Sequence, residues 1–124
     1  MTSPMPLDPR DDVFTEERPW GRFQQFTTGR PVTVKTMTVE PGRRLSLQRH
    51  EHRGEMWQVL CGPVLVTVDD RTWEAQEGEL VWIPQGAVHR LAGVDDVQGL
   101  VLEIAFGHFD EDDIERLEDD YSRG

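Results

Sequence analysis

The stretch from Gln48 to Glu55 reads Gln-Arg-His-Glu-His-Arg-Gly-Glu, and it holds two of the chain's four histidines. If this stretch is extended, alternation from Leu45 to His52 puts Ser46, Gln48, His50 and His52 on one face. Glu55 follows at once. Neutral imidazoles, a carboxylate and an amide oxygen together are the donor set of a divalent metal site. Strand parity does not choose between Gln48 and His52 as a ligand beside His50, because residues two apart face the same way. Imidazole is the better donor for zinc or iron.

Strands must position these groups. Val32 to Val39 is β-branched and alternating, with Lys35, Met37 and Val39 on one face, and Pro41-Gly42 then turns the chain. Trp57 to Leu60 and Val64 to Val68 read as strands about a turn at Gly62-Pro63. Thr72 to Glu74, Leu80 to Ile83, Arg90 to Leu91 and Leu100 to Phe106 continue the series. Short strands with a turn signal every eight to twelve residues predict an all-β sandwich or barrel. Three prolines before residue 10 predict a flexible arm over residues 1–16, ahead of a barrel over 17–109. In the acidic tail, 110–124, Ile114, Leu117 and Tyr121 fall at helical spacing, which predicts a short C-terminal helix with a solvated acidic face.

The spacing of the ligand candidates resembles the two cupin motifs. Gly42, Gln48, His50, Glu55 and Gly62 stand at the intervals of the first, with Gln48 where a histidine is usual. Gly78, Pro84, Gly86 and His89 stand at those of the second, whose final asparagine is here Gly93. The resemblance implies a cupin double-stranded β-helix, a jelly-roll barrel, that brings His89 beside the first cluster. It implies one divalent metal on Gln48, His50, Glu55 and His89: zinc foremost, with iron, manganese, nickel or cobalt as alternatives. Motif spacing favours Gln48 over His52, since His52 leaves too few residues before Glu55 for the usual turn.

The residues ERPWGRF (17–23), PGRRLSLQRHEHRGEMW (41–57), WIPQGAVHRL (82–91) and EDDIERLEDDY (111–121) resemble the C-terminal domain of type II mannose-6-phosphate isomerases. In that family the cupin often follows a guanylyltransferase domain, to which nothing in this chain corresponds, so guanylyl transfer is not expected of it. The sequence-unrelated type I isomerases also use a Gln-x-His pair with a glutamate and a distant histidine. Interconversion of mannose 6-phosphate and fructose 6-phosphate is therefore the expected activity. It needs a metal to polarise a carbonyl and a base to move a proton between neighbouring carbons. The expected catalytic groups are Arg53, which also suits a phosphate contact, His52 as base, and Lys35, which faces the interior. Arg44, by inward parity, and Arg90 and Glu103, by family pattern, are expected to bind substrate. The family's HHHRAEHW is here HEHRGEMW, and parity turns Glu51 and Met56 away from the metal. Its EVQSG is EIAFG, which puts Ala105 and Phe106 near a substrate wall and leaves a non-catalytic sugar-phosphate-binding module, or a metal-dependent oxygenase, as rivals.

Composition bounds the rest. At 124 residues the chain holds one core, and a net charge of −11 argues against nucleic acid or an anionic membrane as the partner. Lys35, Arg43, Arg44, Arg49 and Arg53 nonetheless crowd into nineteen positions, which suits a small anionic ligand. There is no apolar run of membrane-spanning length and no signal-like start. The one cysteine, Cys61, sits in an apolar run and reads as a buried thiol. Cytoplasmic location and a homodimer are the expectations, with ERPWGRF as a candidate exchanged edge strand.

Overall fold

The computed structural model describes residues 8–121, and the part of the expected arm before residue 8 lies outside them. A short 3-10 turn (Pro9–Asp12) leads into the hairpin of β1 (Phe14–Arg18) and β2 (Gly21–Gln25). Then follow β3 (Val32–Val39), β4 (Leu47–Arg49), β5 (Arg53–Cys61), β6 (Val64–Val68), β7 (Arg71–Ala75), β8 (Leu80–Ile83), β9 (His89–Gly93), β10 (Gly99–Gly107) and β11 (Glu115–Glu118). One sheet has the order β3-β10-β5-β8 and the other β11-β4-β9-β6-β7, with antiparallel pairing throughout. The all-β, jelly-roll expectation is met by these two sheets.

The core lies between them, and period-two alternation builds it. Val39, Trp57, Val59, Val81, Ile83 and Val101 of the first sheet meet Val64, Val66, Ala75 and Leu91 of the second. Each fully buried aliphatic side chain of this kind contributes about 1.5–3 kcal/mol. The same alternation sends Met56, Leu102, Ile104 and Phe106 to the outer face of the first sheet, where Val13 and Phe26 pack over them. Residues before Glu17 are thus structured in part: Phe14–Arg18 is a strand, and Arg10 reaches the carbonyl of Leu80 at 3.4 Å.

Two expectations fail. Residues 115–118 form β11 rather than a helix, because Glu115, Glu118 and Asp120 find cationic partners in Arg49, Arg90 and Arg44 beside β4 and β9. The helical spacing of Ile114, Leu117 and Tyr121 reflects no helix face; Leu117 and Tyr121 are exposed. Cys61 is exposed as well, at the end of β5 beyond the two-sheet core.

Turn geometry ties the two motifs together. Gly86 takes a left-handed φ of 85°, which only glycine adopts without strain, and its N–H donates to the His50 carbonyl at 2.9 Å. Gly93 has a different reason: a Cβ there would lie 2.4 Å from the Glu40 carbonyl oxygen, so the motif's asparagine has no room.

Candidate metal centre

His50 follows β4 and His89 opens β9, directly across from Gln48 in the β4–β9 register. Glu55 lies on β5 with its side chain, like those of Arg53 and Trp57, turned inward. Nδ1 of His50 is 2.7 Å from the backbone oxygen of Asp113, and Nδ1 of His89 is 3.1 Å from that of Ala87. A carbonyl accepts only, so each Nδ1 carries the proton and each Nε2 keeps its lone pair. Both lone pairs point at Glu55, with His50 Nε2 3.2 Å from Oε2 and His89 Nε2 3.6 Å from Oε1. All three residues are buried, and one donor atom from each lies within 4.8 Å of the others.

The electrostatics suit a cation. Burial pushes the Glu55 carboxyl up, but the His50 and His89 rings beside it outweigh this and hold it well below the ordinary carboxylate range. Burial depresses His89 and keeps its imidazole neutral, the form that ligates. The Trp57 indole N–H donates to Glu55 Oε1 at 3.1 Å and fixes the carboxylate. Two oriented imidazoles facing an ionised carboxylate fit a divalent metal. Gln48 donates its amide nitrogen to Ser46 Oγ at 2.9 Å and lines the same cavity, so its carbonyl oxygen is the atom free for ligation.

Arg53 is buried against this cluster, with its guanidinium already engaged. Its Nε donates to Glu55 Oε2 at 3.1 Å, Nη2 lies 3.2 Å from His50 Nε2, and Nη1 donates to the Asp110 carbonyl. Phe109 stacks over the guanidinium at 4.3 Å. A metal and Arg53 Nη2 compete for the same His50 lone pair.

The cavity beside the cluster, of about 70 Å³, is lined by Lys35, Gln48, Arg53, Arg90 and Glu103 among others. Burial, with the charge of Glu55 alongside, pushes the Glu103 carboxyl up; Lys35, 3.6 Å away, opposes the shift. Glu103 Oε2 is buried with no hydrogen-bond partner. Arg90 borders the cavity, but its head is held by the Leu45 carbonyl and by Glu118 at 2.8 Å.

Other expected site residues lie elsewhere. His52 is exposed and lines neither this cavity nor the one at its mouth, because the chain bends at Glu51-His52 and strand parity stops at Arg49. Arg44 is exposed and paired with Asp120 at 2.6 Å; it forms an isolated bridge to Ala92, apart from β4, so the parity of Gln48 does not extend to it. Ala105 and Phe106 border neither cavity, and Phe106 packs on the outer face of the sheet. Asp113 and Trp57, which orient His50 and Glu55, were not singled out. An aspartate in an acidic tail carries no signal of its own, and a core tryptophan hides its N–H.

A family described as "Mannose-6-phosphate isomerase C-terminal" matches residues 10–119. The alginate biosynthesis protein AlgA of Pseudomonas aeruginosa is 46% identical over 107 residues, which are 86% of this chain and 22% of that protein. The mannose-1-phosphate guanylyltransferase ManC of Salmonella typhimurium is 38% identical over the same length, again 22% of its chain. The chain thus spans about a fifth of the length of these relatives. Among solved structures, the capsular polysaccharide assembling protein CapF from Staphylococcus aureus aligns with a TM-score of 0.64 at 21% identity, over 86% of this chain and 34% of that one. A cupin 2 domain-containing protein from Halorhodospira halophila aligns at 0.58 and 24%, over 70% and 64%. At such identities the likeness is one of fold, and the fold is that of a cupin.

Proposed function

The chain belongs to the mannose-6-phosphate isomerase C-terminal family, and on that premise we propose that it is a metal-dependent isomerase interconverting mannose 6-phosphate and fructose 6-phosphate. The observation that carries the reading is the buried His50–Glu55–His89 cluster opening on a cavity that Lys35 and Glu103 share. Gln48, His50, Glu55 and His89 would hold the ion, zinc being the first to test since imidazole and carboxylate suit it; iron, manganese, nickel and cobalt take the same donors. When bound, it supplies Lewis acidity toward a sugar carbonyl oxygen.

The chain's own residues do the rest. Isomerisation takes a proton from one carbon and returns it to its neighbour. His52 lines neither cavity, so this task passes to the Lys35–Glu103 pair, pocket groups outside the ligand set that can hold and move a proton. Arg53 bridges Glu55 and the Asp110 carbonyl and holds the ligand strand to the C-terminal segment. Burial of the cluster keeps bulk water from the reacting carbons.

Sugar phosphates are cytoplasmic metabolites, and the reading places the chain there. It also includes a homodimer, for which Trp20, 72% exposed at the tip of the β1–β2 hairpin, is the apolar contact. The activity is tested by fructose 6-phosphate turnover on metal-loaded protein. Sugar-phosphate binding without turnover would make the chain a binding module, and oxygen uptake would make it an oxygenase.

A further inference from the structure

The inner cavity, at about 70 Å³, is about half the size of the roughly 150 Å³ cavity that takes up one benzene. A hexose phosphate must extend beyond it. A second cavity of about 230 Å³ lies at its mouth, and both are lined by Lys35, Leu45, Gln48 and Arg53. The outer wall of the mouth comes from the C-terminal segment through Glu111, Ile114 and Arg116.

Register decides which way that segment's charges face. Arg116 is the cross-strand partner of Gln48, and Gln48 of His89. Directly opposed residues of neighbouring strands share a face, so Arg116 stands in one row with two members of the proposed ligand set. Its neighbour Glu115 opposes Arg49 on the other face and pairs with it at 2.7 Å.

The other cations expected at the site are occupied. Arg44 is held by Asp120, Arg90 by Glu118, and Arg53 by Glu55. Lys35 stands 3.6 Å from Glu103. Among the described residues, the Arg116 guanidinium has no ion-pair or hydrogen-bond partner, and only Glu111 opposes the positive charge of the mouth.

We infer that Arg116 grips the phosphate group of the substrate in the mouth cavity, which Lys35 also lines. The inference takes the identity of the ligand from the sugar-phosphate reading, but the anion preference of the mouth stands on its own charges. A guanidinium offers a planar fork that matches two phosphate oxygens. Arg53, expected from the sequence to make this contact, has its fork engaged by Glu55, His50 and Asp110.

The test titrates the full metal-loaded chain with mannose 6-phosphate, inorganic phosphate and mannose by calorimetry. Arg116→Gln is expected to weaken the two phosphate-bearing probes by about tenfold or more. Metal content and melting temperature are expected to stay at parent values. Arg116→Lys, which keeps charge without the fork, falls between, and Arg71→Gln, altered on β7 at the far edge of the same sheet, binds as the parent does. Parent-like binding of both phosphate probes by Arg116→Gln overturns the inference, as does a parent protein that prefers mannose 6-phosphate no more than mannose. Loss of phosphate binding in Arg116→Gln, with no fructose 6-phosphate turnover in the parent, upholds the subsite and overturns the isomerase reading alone.

Discussion

Nδ1 of His50 lies 2.7 Å from the backbone oxygen of Asp113, so the C-terminal segment sets the orientation of a candidate metal ligand sixty-three positions earlier in the chain. The Asp113 carboxylate reinforces this by accepting the N–H groups of Glu51 and His52, at 2.8 and 2.9 Å. One residue therefore holds both the ring of His50 and the bend that follows it.

Asp113→Ala is expected to weaken metal affinity by about tenfold to a hundredfold, the usual cost of losing a group that orients a ligand. Asp113→Asn, left with one acceptor oxygen for two N–H groups, falls between. Competition with a calibrated chelator measures both. Parent affinity in Asp113→Ala would show that the bend holds its shape without the carboxylate.

Metal removal should lower the melting temperature. Binding to the native state alone adds about 4 kcal/mol when the free ion stands at a thousand times its Kd. Scanning calorimetry with and without EDTA reads the shift. A fixed transition, with metal loss verified by elemental analysis, would separate the cluster from stability.

Glu103 links pH to the stability of the metal-free chain. Its folded pKa is raised, so the unfolded chain gives up this proton at lower pH than the native one does. The stability it contributes is complete below the ordinary value of 4.5 and is lost as pH rises above that range. Glu103→Gln, shaped like the protonated carboxyl, is expected to melt higher than the parent near pH 8, by about 1 kcal/mol or more, and to converge with it near pH 4. The Lys35 charge works against the shift, and Lys35→Met should steepen the dependence. Equal melting curves for parent and Glu103→Gln at the higher pH would mean that Glu103 is ionised in the folded chain.

His52 and His50 separate what spacing and parity each reveal. The intervals from Gly42 to Gly62 and from Gly78 to His89 pointed to His50, Glu55 and His89, and the structure brings these three together. Motif spacing reports turn geometry, such as the Gly86 N–H on the His50 carbonyl, and turns determine where side chains reach. Parity worked where β-branched alternation is unbroken: β3, β6 and β8 occupy their expected spans. It failed at Arg44 and His52, because β4 is only three residues long. β11 was illegible because long-range ion pairs, absent from any local pattern, select strand over helix for the acidic tail. With His52 exposed, His52→Ala is expected to keep both metal and turnover, whereas His50→Ala loses both. Metal loss from purified His52→Ala would return His52 to the ligand set.

The most direct measurement is turnover of fructose 6-phosphate to mannose 6-phosphate by protein stripped of metal and then titrated with zinc, and in parallel with manganese, cobalt, nickel and ferrous iron. The account expects activity to rise with bound metal and to level off at one ion per chain, with no response in His50→Ala. A folded chain holding one ion that binds the sugar phosphate and never converts it would contradict the account.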